Sequence, residues 1–140
     1  MNISEARTKE DLATVWPLLL PMVQRGLRHG QGDSLAPCDL VRAILSGDMV
    51  LWVAHDENSV YGGMVFQISQ HPQKRTVFVV LLAGTNFDLW AEDMQAKLLE
   101  YADAVEADTI EASCRKGMAK RLEKMLGWKE KAIIMEAPRS

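Results

Sequence analysis

The strongest constraint on this chain is an unbroken apolar run, Val77-Phe78-Val79-Val80-Leu81-Leu82-Ala83, with Arg75 before it and Gly84 after it. A strand with one wet face alternates apolar and polar residues, whereas a continuous run needs cover on both faces. The run is far below the ~20 residues a bilayer crossing needs. It therefore predicts a central strand in a sheet with helices on both sides. The remaining composition, 48% apolar and 25% charged, is that of a globular domain and excludes disorder and low-complexity assembly. At 140 residues without an internal linker, one domain over residues 1–140 is expected.

The other elements follow from periodicity and punctuation. Residues 2–6 can form a short strand, and Thr8 with Asp11 resembles a capping box that opens a helix. Leu12, Val15, Trp16, Leu19 and Leu20 recur at helical spacing, while Pro17 and Pro21 predict a kink or restart. Gly26, Gly30 and Gly32 are expected to end that helix; a second one, residues 37–46, stops at Gly47. Residues 49–54 and 60–69 then read as a hairpin, with Gly62-Gly63 marking a bulge or a close backbone approach. After the run at 77–83, a helix extends to about Glu106, and residues 109–114 alternate as a strand. A basic helix from Lys116 to Leu126 is capped by Gly127, and residues 128–136 read as a final strand. The expected order is β-α-α-β-β-β-α-β-α-β.

The net charge of −3 predicts no general affinity for nucleic acid. Its distribution is uneven. Eight carboxylates and one base, Lys97, lie between Asp88 and Glu111, and the balance inverts between Arg115 and Lys131. These segments are expected to be solvated helix faces or, in the sharper reading, surfaces for a protein partner or a second copy. The N-terminus carries no basic stretch followed by an apolar one, so a cytoplasmic or virion-associated location is expected rather than secretion. Cys38 and Cys114 lack ligand spacing, so no metal site is signalled, and both read as small core residues. Trp16, Trp52, Trp90 and Trp128 read as core, His55 and His71 as turn residues, and His29 as a loop residue able to reach a ligand.

The element order and three local patterns resemble the GNAT (GCN5-related N-acyltransferase) fold. These patterns are the strand pair Leu51-Trp52-Val53-Ala54 with Val60-Tyr61-Gly62-Gly63-Met64-Val65-Phe66, the helix ending Leu122-Glu123-Lys124-Met125-Leu126-Gly127-Trp128, and Arg115-Lys116-Gly117-Met118-Ala119-Lys120-Arg121. The last looks most like segments of small bacteriophage-encoded members. The resemblance implies an α+β domain with a mixed, mainly antiparallel sheet flanked by helices. It also implies a slot between the fourth and fifth strands for acyl-CoA, with the pyrophosphate at the start of the following helix. The stretch that would bind it offers Gly84, Thr85 and Asn86, with Arg115, Lys116 and Gly117 on the second helix. Against this stand the bulk of Phe87, Leu89 and Trp90 and the carboxylates Asp88, Glu92 and Asp93, which oppose a pyrophosphate. Glu111 is the candidate base; Glu123 stands where the family often carries a Tyr acid. The expectation is therefore a bacteriophage-type, partner-binding or virion protein with a degenerate site and no cofactor. The alternative is an N-acyltransferase using acetyl-CoA through an atypical loop.

Overall fold

The computed structural model describes residues 1–28 and 34–139. Its elements are β1 (Asn2–Ala6), α1 (Lys9–Arg28), α2 (Pro37–Ser46), β2 (Val50–His55), β3 (Val60–Gln70), β4 (Arg75–Gly84), α3 (Phe87–Ala104), β5 (Thr109–Ala112) and α4 (Lys116–Leu126). The strands form one sheet in the order β1-β2-β3-β4-β5, antiparallel except for the parallel β4–β5 pair. The apolar run is the central strand, as its composition requires. Val77 and Val79 face a core shared with α3 and α4, while Val80, Leu81 and Ala83 face a second core under α1 and α2. The first core holds an edge-to-face cluster in which the Phe66 ring lies 4.8 Å from Trp52 and 5.0 Å from Tyr101.

The local signals at Thr8 and Gly47 behave as read. The Asp11 amide donates to Thr8 Oγ1 and the Thr8 amide to Asp11 Oδ2, each at 3.1 Å, so two first-turn donors of α1 are satisfied reciprocally. Gly47 ends α2 in the left-handed region at φ 87°. The expected break in α1 does not occur. Pro17 and Pro21 lie one turn apart on the exposed face, so the carbonyls they leave without donors can be solvated and the helix continues through both. Gly26 consequently falls inside α1; Gly30, Gly32 and His29 lie outside the described residues.

Three further expectations need correction. Residues 128–136 form no strand: the Lys131 ammonium reaches Glu111 on β5, but no backbone ladder joins them, and Ile133, Ile134 and Met135 stay exposed. Alternation alone cannot supply the partner edge a strand requires. Both cysteines are exposed, because Cys114 lies beyond the last residue of β5, where the chain has left the sheet. Trp52 and Trp90 are core, whereas Trp16 and Trp128 are only half-buried.

Candidate active site

The site begins with a defect in β4. Register with β3 runs Val65↔Leu81 and then Phe66↔Val79, so Val80 is an extra residue. Val80 and Leu81 accordingly face the same core in succession, as in a bulge, which bends its strand and leaves a residue without a ladder partner. Pairing with β5 stops at the same level: the last registered pair is Val79↔Ala112, and the Ser113 amide makes one long bond of 3.4 Å to the Val79 carbonyl. Beyond it the strands part. The space between residues 80–84 and 113–115 is closed below by Met22 and Gly26 of α1 and Met118 of α4, has a volume of about 40 Å³, and carries Arg25 and Arg115 at its rim.

Because β4 and β5 are parallel, both end on the same side of the sheet, and both continue into helices there. Ligands of such sheets sit beyond the carboxyl ends of parallel strands, where helix starts present free amides and a partial positive charge. Here neither start is capped by a side chain: Asn86 before α3 and Arg115 before α4 make no capping hydrogen bond. The loop before α3 is tightly held from below. Gly84 has φ 147°, and a Cβ there would stand 2.4 Å from the Tyr61 carbonyl oxygen. Gly62 is equally constrained, since its Cβ would meet the Ala83 carbonyl at 2.4 Å; this is the close approach that the Gly62-Gly63 pair signals. The Thr85 amide donates to the Tyr61 carbonyl at 2.7 Å, and the Trp90 indole donates to the Thr85 carbonyl at 2.9 Å.

This geometry changes the weight of the residues that oppose an anion. Phe87 and Trp90 turn into the core, their rings 4.8 Å apart edge to face, and neither lines the slot. Only Leu89 is outward. Asp88 lies 4.0 Å from the Arg121 guanidinium, which also sits over the Phe87 ring, and Asp93 lies 4.0 Å from the N-terminal ammonium. Glu92 is exposed and has no ion-pair partner among the described residues. Two of the three carboxylates are thus partnered elsewhere, which sequence order could not show. Trp90 does not stand in the slot: its buried indole holds the Thr85 carbonyl of the loop before α3.

The candidate acid and base lie apart from this opening. Glu111 Oε2 accepts from Lys74 and Lys131, each at 2.6 Å, and these bonds hold its carboxyl down at about 2. A carboxylate so held is a poor proton acceptor near neutrality. Glu123 is exposed on α4, five residues past the slot-lining Met118 and therefore on another face of the helix. Lys116 and Gly117 are exposed in the first turn of α4, and a Cβ at Gly117 would meet nothing. Cys114 stands at the mouth of the slot, where partial burial pushes its thiol up. No group of three or more His, Cys, Asp or Glu side chains that could hold a metal ion occurs among the described residues. No helix among them is long and apolar enough to cross a membrane.

No family model matches the sequence, and no curated protein matches it. Solved structures match throughout. A probable acetyltransferase superposes with a TM-score of 0.74 at 17% identity, covering 100% of this chain and 99% of that one. The tetramutant of the BH1408 protein from Bacillus halodurans gives 0.73 at 23%, covering 99% of each chain. A predicted acetyltransferase with acetyl-CoA from Clostridium acetobutylicum gives 0.67 at 14%, covering 98% and 95%. The chain shares their GNAT-like fold, a mixed, mostly antiparallel sheet of five strands flanked by four helices among the described residues.

Proposed function

We propose that this chain is an acyl-CoA-dependent N-acyltransferase. The observation that carries the reading is the parting of β4 and β5 after the bulge at Val80, with two uncapped helix starts beside the opening. The acetyltransferase names of similar structures support it, and they lend none to the bacteriophage or virion role expected from the sequence.

The residues present fit acyl-CoA at the phosphate end. The exposed Thr85 and Asn86, with the first amides of α3, would take the pyrophosphate, and Arg115 and Lys116 would add charge-assisted hydrogen bonds. Along the pantetheine path the space is narrow, about 40 Å³, so binding requires its walls to move apart. Those walls join half-exposed Leu82, Gly84 and Ser113 to the buried side chains of Val80, Leu81, Ala83 and Met118. When bound, acyl-CoA supplies an activated acyl group as a thioester. The chain's own contribution is positioning: the bulge at Val80 turns β4 away from β5 at the slot, and the slot aligns the acyl group with an incoming amine. Among the described residues no carboxylate lines the slot, which in this reading leaves solvent to take up the amine proton.

Cys114 provides the test. A thiol-reactive probe should modify both exposed cysteines, and acetyl-CoA should protect Cys114 while Cys38 stays reactive. Saturating ligand at a hundred times its Kd also stabilises the native state by about 2.7 kcal/mol, so Tm should rise by several degrees. Release of free CoA thiol with primary-amine acceptors then measures transfer. Unchanged Cys114 reactivity together with unchanged Tm rejects the reading. The second reading, a partner-binding protein on the same fold, is favoured by one observation, the capture of the Glu111 carboxylate by two lysines. Cys114 reactivity unchanged by acetyl-CoA, with no thiol release, would support it.

A further inference from the structure

The rim of the slot carries charge of one sign. Arg25 and Arg115 are the charged side chains that line it, and no Asp or Glu joins them among the described residues. Both arginines are exposed, and neither has an ion-pair partner among those residues. They belong to opposite faces of the sheet. Arg115 precedes α4, which packs with α3 on one core, whereas Arg25 belongs to α1, which packs on the other. The glycine beside it brings α1 close to the open half of β4: a Cβ on Gly26 would stand 2.8 Å from Leu81 Cδ1 and 3.3 Å from Ala83 Cβ. Glycine inside a helix costs stability. Here it lets the last turn of α1 reach the slot, with Arg25 at the edge. Arg28 follows in the same turn, while the carboxylates of α1, Glu10 and Asp11, lie in its first turn, roughly 20 Å away along the helix axis.

Resting on the transferase reading, we infer that the acceptor is a small primary amine that also carries a negative charge, a carboxylate or a phosphate, and that Arg25 binds that group on the α1 side of the slot. With the phosphate end beside the starts of α3 and α4, an acyl donor threaded between β4 and β5 brings its reactive end toward α1, and Arg25 is the charge waiting there. A guanidinium presents paired donors that match either anion. A polycationic amine would instead meet two like charges with no lining carboxylate to offset them. The pairing also serves the chemistry, because a nearby cation disfavours an ammonium and holds more of the amine in its neutral, nucleophilic form. The nitrogen then bonds to the acyl carbon as the C–S bond breaks. Its proton passes to solvent and the departing sulfur takes one up, which yields an amide and a free thiol.

Two readouts on the full chain test this. The first needs no acyl donor: calorimetric titration with N-acetylglutamate, with phosphoethanolamine and with spermidine. The second is thiol release from acetyl-CoA with glutamate, phosphoethanolamine or spermidine as acceptor. Wild type should bind the anionic probes and use the anionic amines, and the stronger of the two arms identifies the anion. Arg25→Ala should weaken that binding and raise KM for the anionic amine by about tenfold or more, the effect of losing a charge-assisted pair, with kcat little changed. Arg25→Lys should recover part of the loss, and Arg25→Glu should move the preference toward spermidine. Arg25 is exposed, so circular dichroism and Tm should stay at wild-type values. Arg42→Ala, on α2 and away from the slot, should match wild type in both readouts. Thiol release that favours spermidine, or that is indifferent to Arg25→Ala, overturns the proposal and leaves the transferase reading standing. Arg25-dependent binding of an anionic probe with no thiol release from any acceptor supports the anion site and rejects the transferase reading. Absence of binding by either anionic probe overturns the proposal outright.

Discussion

The two halves of β4 differ more than any two strands in the molecule. From Thr76 to Val79 it is paired on both sides, to β3 and to β5, with Thr76 Oγ1 and Thr109 Oγ1 sharing a hydrogen bond of 2.8 Å. From Leu81 to Gly84, beyond the unpaired Val80, it is paired to β3 alone. One apolar sequence thus builds a closed core and an open wall, and the switch between them is a single extra residue. A bulge is a cheap way to do this, because it turns the strand without removing apolar burial: Val80 and Leu81 remain 4% and 6% exposed.

The largest expected contrast comes from truncation on either side of the switch. Phe66, fully buried opposite Val79, should cost about 3–5 kcal/mol when changed to Ala. Leu82, half-buried at the slot, should cost only about 1–2 kcal/mol. Urea midpoints of the two variants measure this directly, and equal losses would erase the distinction between the halves. A smaller effect belongs to the closed end. Lys74 and Lys131 hold Glu111 near 2, well below its unfolded value, so its contribution is present above about pH 4.5 and lost as pH falls toward 2. Allowing for the solvent-screened side of the cluster, Glu111→Gln should remove about 1 kcal/mol at neutral pH. The variant should be correspondingly less sensitive to acid, as thermal melts at descending pH would reveal; an unchanged acid limb would dismiss the cluster as a closing device. The finest test is hydrogen exchange along β4. Amides at Val77 and Val79 should exchange only on global unfolding, and those at Leu82 and Ala83 earlier by local opening. Uniform protection would mean that the slot does not open in solution.

The sequence showed the closed half more clearly than the open one. The run at 77–83, the limits of α2 and α4, and the glycine stops at Gly47 and Gly127 are signals written within a few residues, and each appears where periodicity and capping place it. The two stretches that the sequence offers to a ligand, Gly84 to Asn86 and Arg115 to Gly117, follow the adjacent ends of β4 and β5. Reading Phe87, Trp90, Asp88 and Asp93 as obstacles assumed that they face the loop they follow. In fact Phe87 and Trp90 pack into the core, Asp88 lies near Arg121 of α4, and Asp93 lies near the chain's first residue.

What the sequence by itself determined is the first nine elements, from β1 to α4, and their order, because helical and strand periods are local properties of the backbone. What only the tertiary structure decided is the bulge at Val80, the parting of β4 from β5, the orientation of the first turn of α3, and the absence of a strand over residues 128–136. Each of these depends on a partner brought from a distant part of the chain. A strand exists only against another edge, a bulge only relative to a register, and a charge opposes a ligand only if no distant cation already holds it.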